Sequence, residues 1–543
     1  MALEQEIFEL WKELHPTSAF TQGLDEYGGD LFIPTKSNKA KILAEIAKVR
    51  KRCKTKLHKK FLNYLETELL FEEPEKAPDK ILWAFFGILA KKGLHNEYLG
   101  KLADNSLKLI EANEELGYKW PIEIKILSYK ACKGLIGILK SIKAQVKDKN
   151  LEVKISELEN KVKSYAKHFS VPGLNKGDFT EIYPILKKHG KELGRKKIYG
   201  RLLKDLYDYY ETTKEIESKA MEWLKKELPQ LKKITKELAK IYKIKPKVEK
   251  VAEELSKRAK IARKEVLEVL QDLRKNLIKI VERELVKISP VYNTKVMTTP
   301  NYLVPFIPSG AMNSYDTLTT RPFCIFFVTT DEKFAPPTSL ADLLQLLVHE
   351  EYGHCVNFTN SAVEFAGKIS ILEKLATEFR RPITEGISFH RELEALELLK
   401  SISRKKELSA DEKELIKRLK KMSDLELLLK EIEFVVYEWR IIRFLRAISD
   451  VRINTGKQGI AEFIDWAHKY TELSKRTIFN QIFIFQNTPG YAPCYSIGGM
   501  ALKELQELAI KKGKSKIEFN TFAASLGAPP RTIFESKLKK FVG

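Results

Sequence analysis

Along almost all of residues 1–290, apolar residues recur every three or four positions with Lys, Arg and Glu between them. That spacing puts one apolar stripe along an α-helix. The clearest stretch follows Pro246, where Val248, Val251, Leu255, Ala259, Ala262, Val266, Val269, Leu273, Leu277 and Ile280 predict one long amphipathic helix. Similar stripes run through 38–70, 80–116, 121–147 and 196–227, with breaks expected at Pro74, Pro78, Pro121, Pro172-Gly173, Pro184 and Pro229. Residues 19–34, rich in Gly and Asp, read as a loop. No fixed-period repeat is present. The pattern changes near Ser289-Pro290. Phe323 to Thr330, bounded by Pro322 and Asp331, is a β-branched and aromatic run, so a small β element is expected near 292–330. Ser339 followed by Asp342 then resembles a capping box that opens a helix through Leu340, Leu343, Leu344, Leu347 and Val348.

Composition narrows the class. With 43% hydrophobic and 31% charged residues the 543-residue chain is globular, neither disordered nor collagenous. Its five Cys are scattered without a C-x-x-C pair, which argues against a disulfide framework or a Cys-rich zinc site. No charge-free apolar run reaches the roughly 18 residues of a membrane span, and acids among the first apolar residues do not read as a signal peptide. A cytoplasmic protein is expected. The net charge of +23 raises the question of a nucleic-acid partner. Because Lys alternates with Glu along the helices, a solvated face laced with i,i+4 pairs is the simpler reading. The same Lys/Glu richness with few Cys and Met suits a thermophile.

The helix opened at Ser339 ends in VHEEYGHC, which holds His349, Glu350 and His354. In a zincin helix two His at i and i+4 reach one metal, and the Glu after the first works on the water. Here the spacing is i to i+5, which on a regular helix leaves the side chains about 140° apart. Both reach one ion only if the turn widens into a π-bulge, with Gly353 supplying backbone freedom. Residues 382–400 form a further helical stripe carrying Glu385 and His390 in its first turns. A third ligand some 30 residues on is the gluzincin arrangement, so Glu385 completes a two-His, one-Glu zinc site. The plainer alternatives are a His354 that only caps the helix and a Glu385 that only favours the N-terminal dipole.

These motifs together resemble the domain-of-unknown-function 885 family of helical metallopeptidase-like proteins. The matching segments are HEEYGH (349–354), EGISFHRE (385–392), NTG (454–456) and PGYAPCYSIGG (489–499), in the family's order, with SAFTQGLDEYGGD (18–30) like its start. A more distant likeness is to thermostable zinc carboxypeptidases, and HEEYGH has the spacing of dipeptidyl peptidase III. The chain departs from the pattern in lacking a Pro before Gly353-His354, in Asn454 and Gln458, and in placing His390 where the family has Tyr. The resemblance implies a mainly α, bilobal zincin-like fold, with an N-terminal helical lobe (1–290), a catalytic lobe (291–543) and a cleft between them.

The function expected is zinc-dependent peptide hydrolysis, with exopeptidase action of carboxypeptidase type implied by the family resemblance, and with cobalt or manganese as substitutes for zinc. Glu350 acts as the base, and Tyr495 donates to the oxyanion unless it is merely a packed aromatic; Tyr491 and His390 are the alternatives and are assigned to substrate binding. The strand at 323–330 either pairs with an extended peptide at its edge or lies in the core. Arg440, Arg443 and Arg446 are cations suited to a substrate carboxylate. Glu351, Glu392 and Asp450 are available to orient imidazoles, with Glu351 read as a solvated neighbour. A homodimer is compatible with the chain. The competing class is a non-catalytic basic helical binding protein, for nucleic acid, with a degenerate metal site.

Overall fold

The computed structural model describes all residues except 1, 2, 302, 305, 306, 308, 309, 333–336 and 366. The chain is mainly α-helical, with one three-stranded mixed sheet among the described residues. The stripe after Pro246 forms two helices, Val248–Lys257 and Arg263–Glu284, where periodicity predicted one. Between them Ile261 exchanges backbone hydrogen bonds with Thr338, at 3.3 and 3.0 Å. The Glu265 carboxylate then accepts from the Ala262 N–H to restart the helix. Both halves bury their apolar faces in the same core, so periodicity survives the break. Pro184 and Pro229 do not interrupt the chain as expected; they lie inside Phe179–His189 and Thr213–Tyr242. A proline inside a helix costs about 3 kcal/mol, and around Pro229 the burial of Leu228 and Leu231 offsets this.

Two 30-residue helices, Thr213–Tyr242 and Leu425–Asn454, pack along each other. Arg440 on the second donates to both carboxylate oxygens of Glu227 on the first, at 2.5 and 2.6 Å. The largest hydrophobic cluster joins Leu224, Leu231 and Leu277 to Phe389, Phe444 and Phe463, so it crosses the boundary drawn at residue 290.

The strands are β1 (Thr294–Thr298), β2 (Gly310–Tyr315) and β3 (Phe323–Val328), in the order β1-β3-β2. β3 runs parallel to β1 and antiparallel to β2, with Cys324 opposite Thr294 and Phe326 opposite Met312. Side chains alternate across a strand. Accordingly Phe326 and Val328 enter the first cluster, whereas Ile325 and Phe327 enter a second with Phe85, Leu102 and Ile138. β3 is therefore the central strand, its backbone paired on both sides, and cannot receive a peptide by edge pairing. The free-edged strand that packs on residues 348–355 is β2.

Helix Arg380–Arg404 crosses both the 348–355 segment and residues 494–498 at very short range. A Cβ on Gly353 would stand 2.2 Å from Ser388 Oγ and 2.7 Å from Ser388 Cα. Gly353 does not have positive φ; it is needed for this close approach rather than for the backbone freedom inferred from sequence. Gly353→Ala is expected to destabilise the fold by about 1–3 kcal/mol through overpacking. Urea denaturation checks this, and wild-type stability would refute it.

Candidate metal centre

Ser339 Oγ accepts the Asp342 N–H at 3.0 Å and starts helix Leu340–Leu347. The helix then widens to a π-helix over Val348–Cys355. Bonds from i to i+5 make five residues close to one turn, which brings His349 and His354 to the same side, their rings 4.9 Å apart and nearly perpendicular. Helix Arg380–Arg404 supplies Glu385, whose Oε2 lies 3.6 Å from His349 Nε2 and 3.5 Å from His354 Nε2. The candidate ligand atoms of the three residues all fall within 4.8 Å of one another, and all three side chains are buried.

Each imidazole is held from behind. His349 Nδ1 is 2.6 Å from Glu392 Oε1, which also accepts from Gln345 Nε2 and Arg443 Nη2, both at 2.8 Å. Ser388 Oγ donates to the His349 carbonyl at 3.1 Å and stands 3.1 Å from His354 Nδ1, from which it accepts. This network favours a proton on each Nδ1, so the Nε2 atoms, which both face Glu385, are the ones able to give lone pairs to a cation once they shed their protons. Tyr491 Oη donates to Glu385 Oε1 at 2.6 Å. Glu385 Oε2, buried, has no hydrogen-bond partner. A buried carboxylate oxygen without a donor needs a partner, and a cation held with the two Nε2 atoms fits that need. The donor set is therefore able to hold a metal.

The electrostatics favour positive charge at this point. Burial lowers the His349 imidazole, but Glu385 and Glu392 outweigh it and lift the pKa to about 9. Burial raises the Glu385 carboxyl, and His354 and His349 more than reverse this, holding it well below the usual range. Burial likewise raises Glu392, while Arg443 and His349 bring it down to about 2. Glu350, half-buried, feels burial most, which raises its carboxyl against the opposing pull of His349 and His354. Glu385, Ser388 and Glu392 recur at i, i+3 and i+7 on one helix face, so a single face furnishes a candidate ligand and the two groups that hold the imidazoles from behind. Ser388 was not singled out from sequence; its helical spacing from Glu385 was the available signal.

No family model matches the chain, and no curated protein matches it. Solved structures share the fold. One is described as a "putative lipoprotein" from Colwellia psychrerythraea, with a TM-score of 0.67 at 15% identity over 99% of this chain and 98% of that one. Another, described as a "putative lipoprotein of unknown function" from Shewanella oneidensis, has a TM-score of 0.66 at 15% identity, covering 99% of each chain. At that identity the likeness is one of fold, end to end. Among the described residues no helix is long and apolar enough to cross a membrane.

The remaining sequence candidates divide. Tyr495 sits on a second π-helix, Cys494–Gly498, with its hydroxyl 3.2 Å from that of Tyr491 and its ring 6.4 Å from that of His349. Tyr491 was expected to bind substrate, yet its hydroxyl is committed to Glu385. His390 is not brought to the triad. Five residues past Glu385 on a regular helix, it points about 140° away, and its Nε2 lies 3.0 Å from Gln506 Oε1 in a separate buried cluster with Glu394. Glu351, expected in solvent, is wholly buried; it accepts two hydrogen bonds from Arg274, both 2.6 Å, and one from Tyr292. Asp450 accepts from Tyr199 Oη at 2.7 Å and the Gly490 N–H at 2.8 Å, so it steadies the 489–499 turn and orients no imidazole.

Glu392 carries the outer support of His349, so Glu392→Gln is expected to weaken metal affinity about 10- to 100-fold while the fold persists. Competition against a chromogenic chelator measures this. An unchanged affinity would remove Glu392 from the site's support.

Proposed function

We propose that the protein is a metal-dependent peptidase, with its ion held by His349, His354 and Glu385 and with Glu350 as general base. The observation that supports this most directly is the orphaned Glu385 Oε2, faced at 3.5–3.6 Å by two imidazole nitrogens whose tautomers are set from behind. Two imidazoles and a carboxylate suit zinc, and cobalt or manganese are accommodated by the same donors. A divalent ion bound there supplies Lewis acidity towards a carbonyl oxygen and an attacking water. The Glu350 carboxylate accepts the proton from that water at one of its oxygens and returns it to the leaving nitrogen. Tyr495 Oη donates to the oxygen of the tetrahedral carbon. Burial raises the pKa of this phenol, so it stays protonated and able to donate. Tyr491 keeps Glu385 Oε1 occupied, which leaves Oε2 for the ion.

The motif resemblance to the domain-of-unknown-function 885 family and to zinc carboxypeptidases supports a peptide substrate and an exopeptidase of carboxypeptidase type. The lipoprotein description of the two structural relatives supports work at the cell envelope, in place of the cytoplasmic location expected from composition.

A mixed peptide library digested with zinc-, cobalt- or manganese-loaded protein, read by mass spectrometry, tests the reading. Stepwise loss of C-terminal residues, abolished by chelator, is expected. Intact peptides with every metal, at full loading, would remove the hydrolase assignment.

A further inference from the structure

The buried guanidinium groups of Arg195, Arg391, Arg440, Arg443 and Arg531 each meet a glutamate. A charge withdrawn from water is expensive unless a counter-charge accompanies it. Arg380, the first residue of helix Arg380–Arg404 and five residues before Glu385, departs from that pattern. It is half-buried, yet among the described residues no carboxylate stands within ion-pair distance of it and no acceptor takes a hydrogen bond from its side chain. Its neighbour Arg381 is engaged, with Nε 3.2 Å from Glu378 Oε2 and the guanidinium 4.7 Å from the centroid of the Tyr491 ring. Arg380 has only an aromatic face. Its guanidinium lies 5.8 Å from the centroid of the Phe358 ring, which in turn stacks 6.1 Å from the ring of His354.

Arg380 lines a cleft of about 370 Å³. The other walls adjoin the triad: Phe358 on helix Val356–Ala362, four residues past His354, and Ser314 on β2, with Thr317 just beyond it. The remaining charges there are already neutralised. Lys374 is paired with Glu364 at 2.8 Å, and Glu373 with Lys537 at 2.6 Å. Thr317 Oγ1 accepts from Gln22 Nε2 at 2.9 Å, which leaves its own proton to donate, and Ser314 brings a second hydroxyl. Burial and Arg381 bring the Arg380 pKa down to about 10, against the pull of Glu378, Tyr491 and Glu385, so the group keeps its charge at neutral pH. The cleft therefore holds one uncompensated positive charge with hydroxyl donors beside it. An anion is the chemistry it suits.

We infer that this cleft is a side-chain subsite that selects an acidic residue, Asp or Glu, next to the bond being cleaved, its carboxylate gripped by the Arg380 guanidinium. This rests on the peptidase reading of the triad. One aromatic ring separates the guanidinium from a candidate metal ligand, so a carboxylate held there belongs to a residue flanking the reacting carbonyl. A cleft of this size admits a side chain together with its carboxylate, and its position beside the free edge of β2 leaves room for the peptide backbone to run past it. The planar fork of arginine matches a carboxylate, whereas a neutral amide of the same shape gains no charge-assisted bond.

The test uses pairs of peptides that differ only in Glu or Gln at one position, scanned across the cleaved bond. Both members of a pair keep a free C-terminus, so only the side-chain charge changes. Metal-loaded wild type is expected to favour Glu over Gln in kcat/KM by about 10- to 100-fold at one position, the range of hydrogen bonds to charged groups. In Arg380→Met, with metal content measured, that ratio should collapse towards unity. Should Arg380→Met fail to fold or to hold metal, Arg380→Gln takes its place with the same expectation. Equal cleavage of Glu and Gln peptides by wild type at every position, or a full preference retained without the arginine, overturns the subsite and leaves the peptidase reading standing. If wild type hydrolyses no peptide, the peptidase reading falls, and calorimetric binding of the same pairs to metal-loaded wild type decides the cleft. Selective binding of a Glu peptide that is lost in Arg380→Met upholds the acidic subsite, and equal binding of every pair overturns it as well.

Discussion

Alanine at His349 or His354 is expected to abolish metal binding: wild type dialysed against zinc should retain one equivalent, and each variant close to none. Loss of a ligand should exceed the roughly 10- to 100-fold penalty of disturbing an outer partner such as Glu392. The reason is geometric. The Nε2 atoms and Glu385 Oε2 face each other at 3.5–3.6 Å, and removing one imidazole leaves two donors with no third ligand to close the set. His349→Ala also strands Glu392 beside Arg443, a pair already complete without the imidazole, so the fold should survive and the metal loss can be read cleanly. Metal analysis with circular dichroism as a control measures both. A wild-type protein that holds no metal at stoichiometric zinc, or a His349→Ala protein that holds as much as wild type, contradicts the assignment.

Glu350→Gln separates metal binding from catalysis. The side chain is half-buried beside the triad and is not among its ligand atoms, so the isosteric amide should keep full metal content. Turnover of a peptide substrate is expected to fall about 10²- to 10⁴-fold, the usual contribution of a positioned general base. Steady-state kinetics on a peptide identified in the library digest would show it. Retained turnover assigns the base elsewhere, and concurrent loss of metal would mean that Glu350 serves the site structurally.

The chemistry of the triad was readable because it follows from local periodicity. Two His five residues apart reach one ion only on a widened turn, and the chain forms a π-helix there. Glu385 was reachable as a carboxylate near the start of a later helical stripe. Other assignments failed where the answer depended on packing. His390 has the same five-residue offset from Glu385 as His354 has from His349, yet its helix is regular, so it turns away into the Gln506 cluster. Glu351 looked like a surface acid because nothing in its neighbourhood announces Arg274, 77 residues earlier. The stripe from Val248 to Ile280 could not reveal that Thr338 would pair with Ile261 and divide it.

The amino-acid sequence alone determined the mainly helical class, the small strand element, and a spacing at which His349 and His354 meet only on a widened turn, since each depends on backbone periodicity within about a dozen residues. Tertiary structure decided what surrounds them: Ser388 and Glu392 behind the imidazoles, Tyr491 on Glu385, and the carboxylates of Glu227 and Glu392 that meet Arg440 and Arg443. Such pairings join residues tens to hundreds of positions apart. They are set by close helix crossings at Gly353 and Gly498, and no pattern along the chain encodes which distant side chain will arrive there.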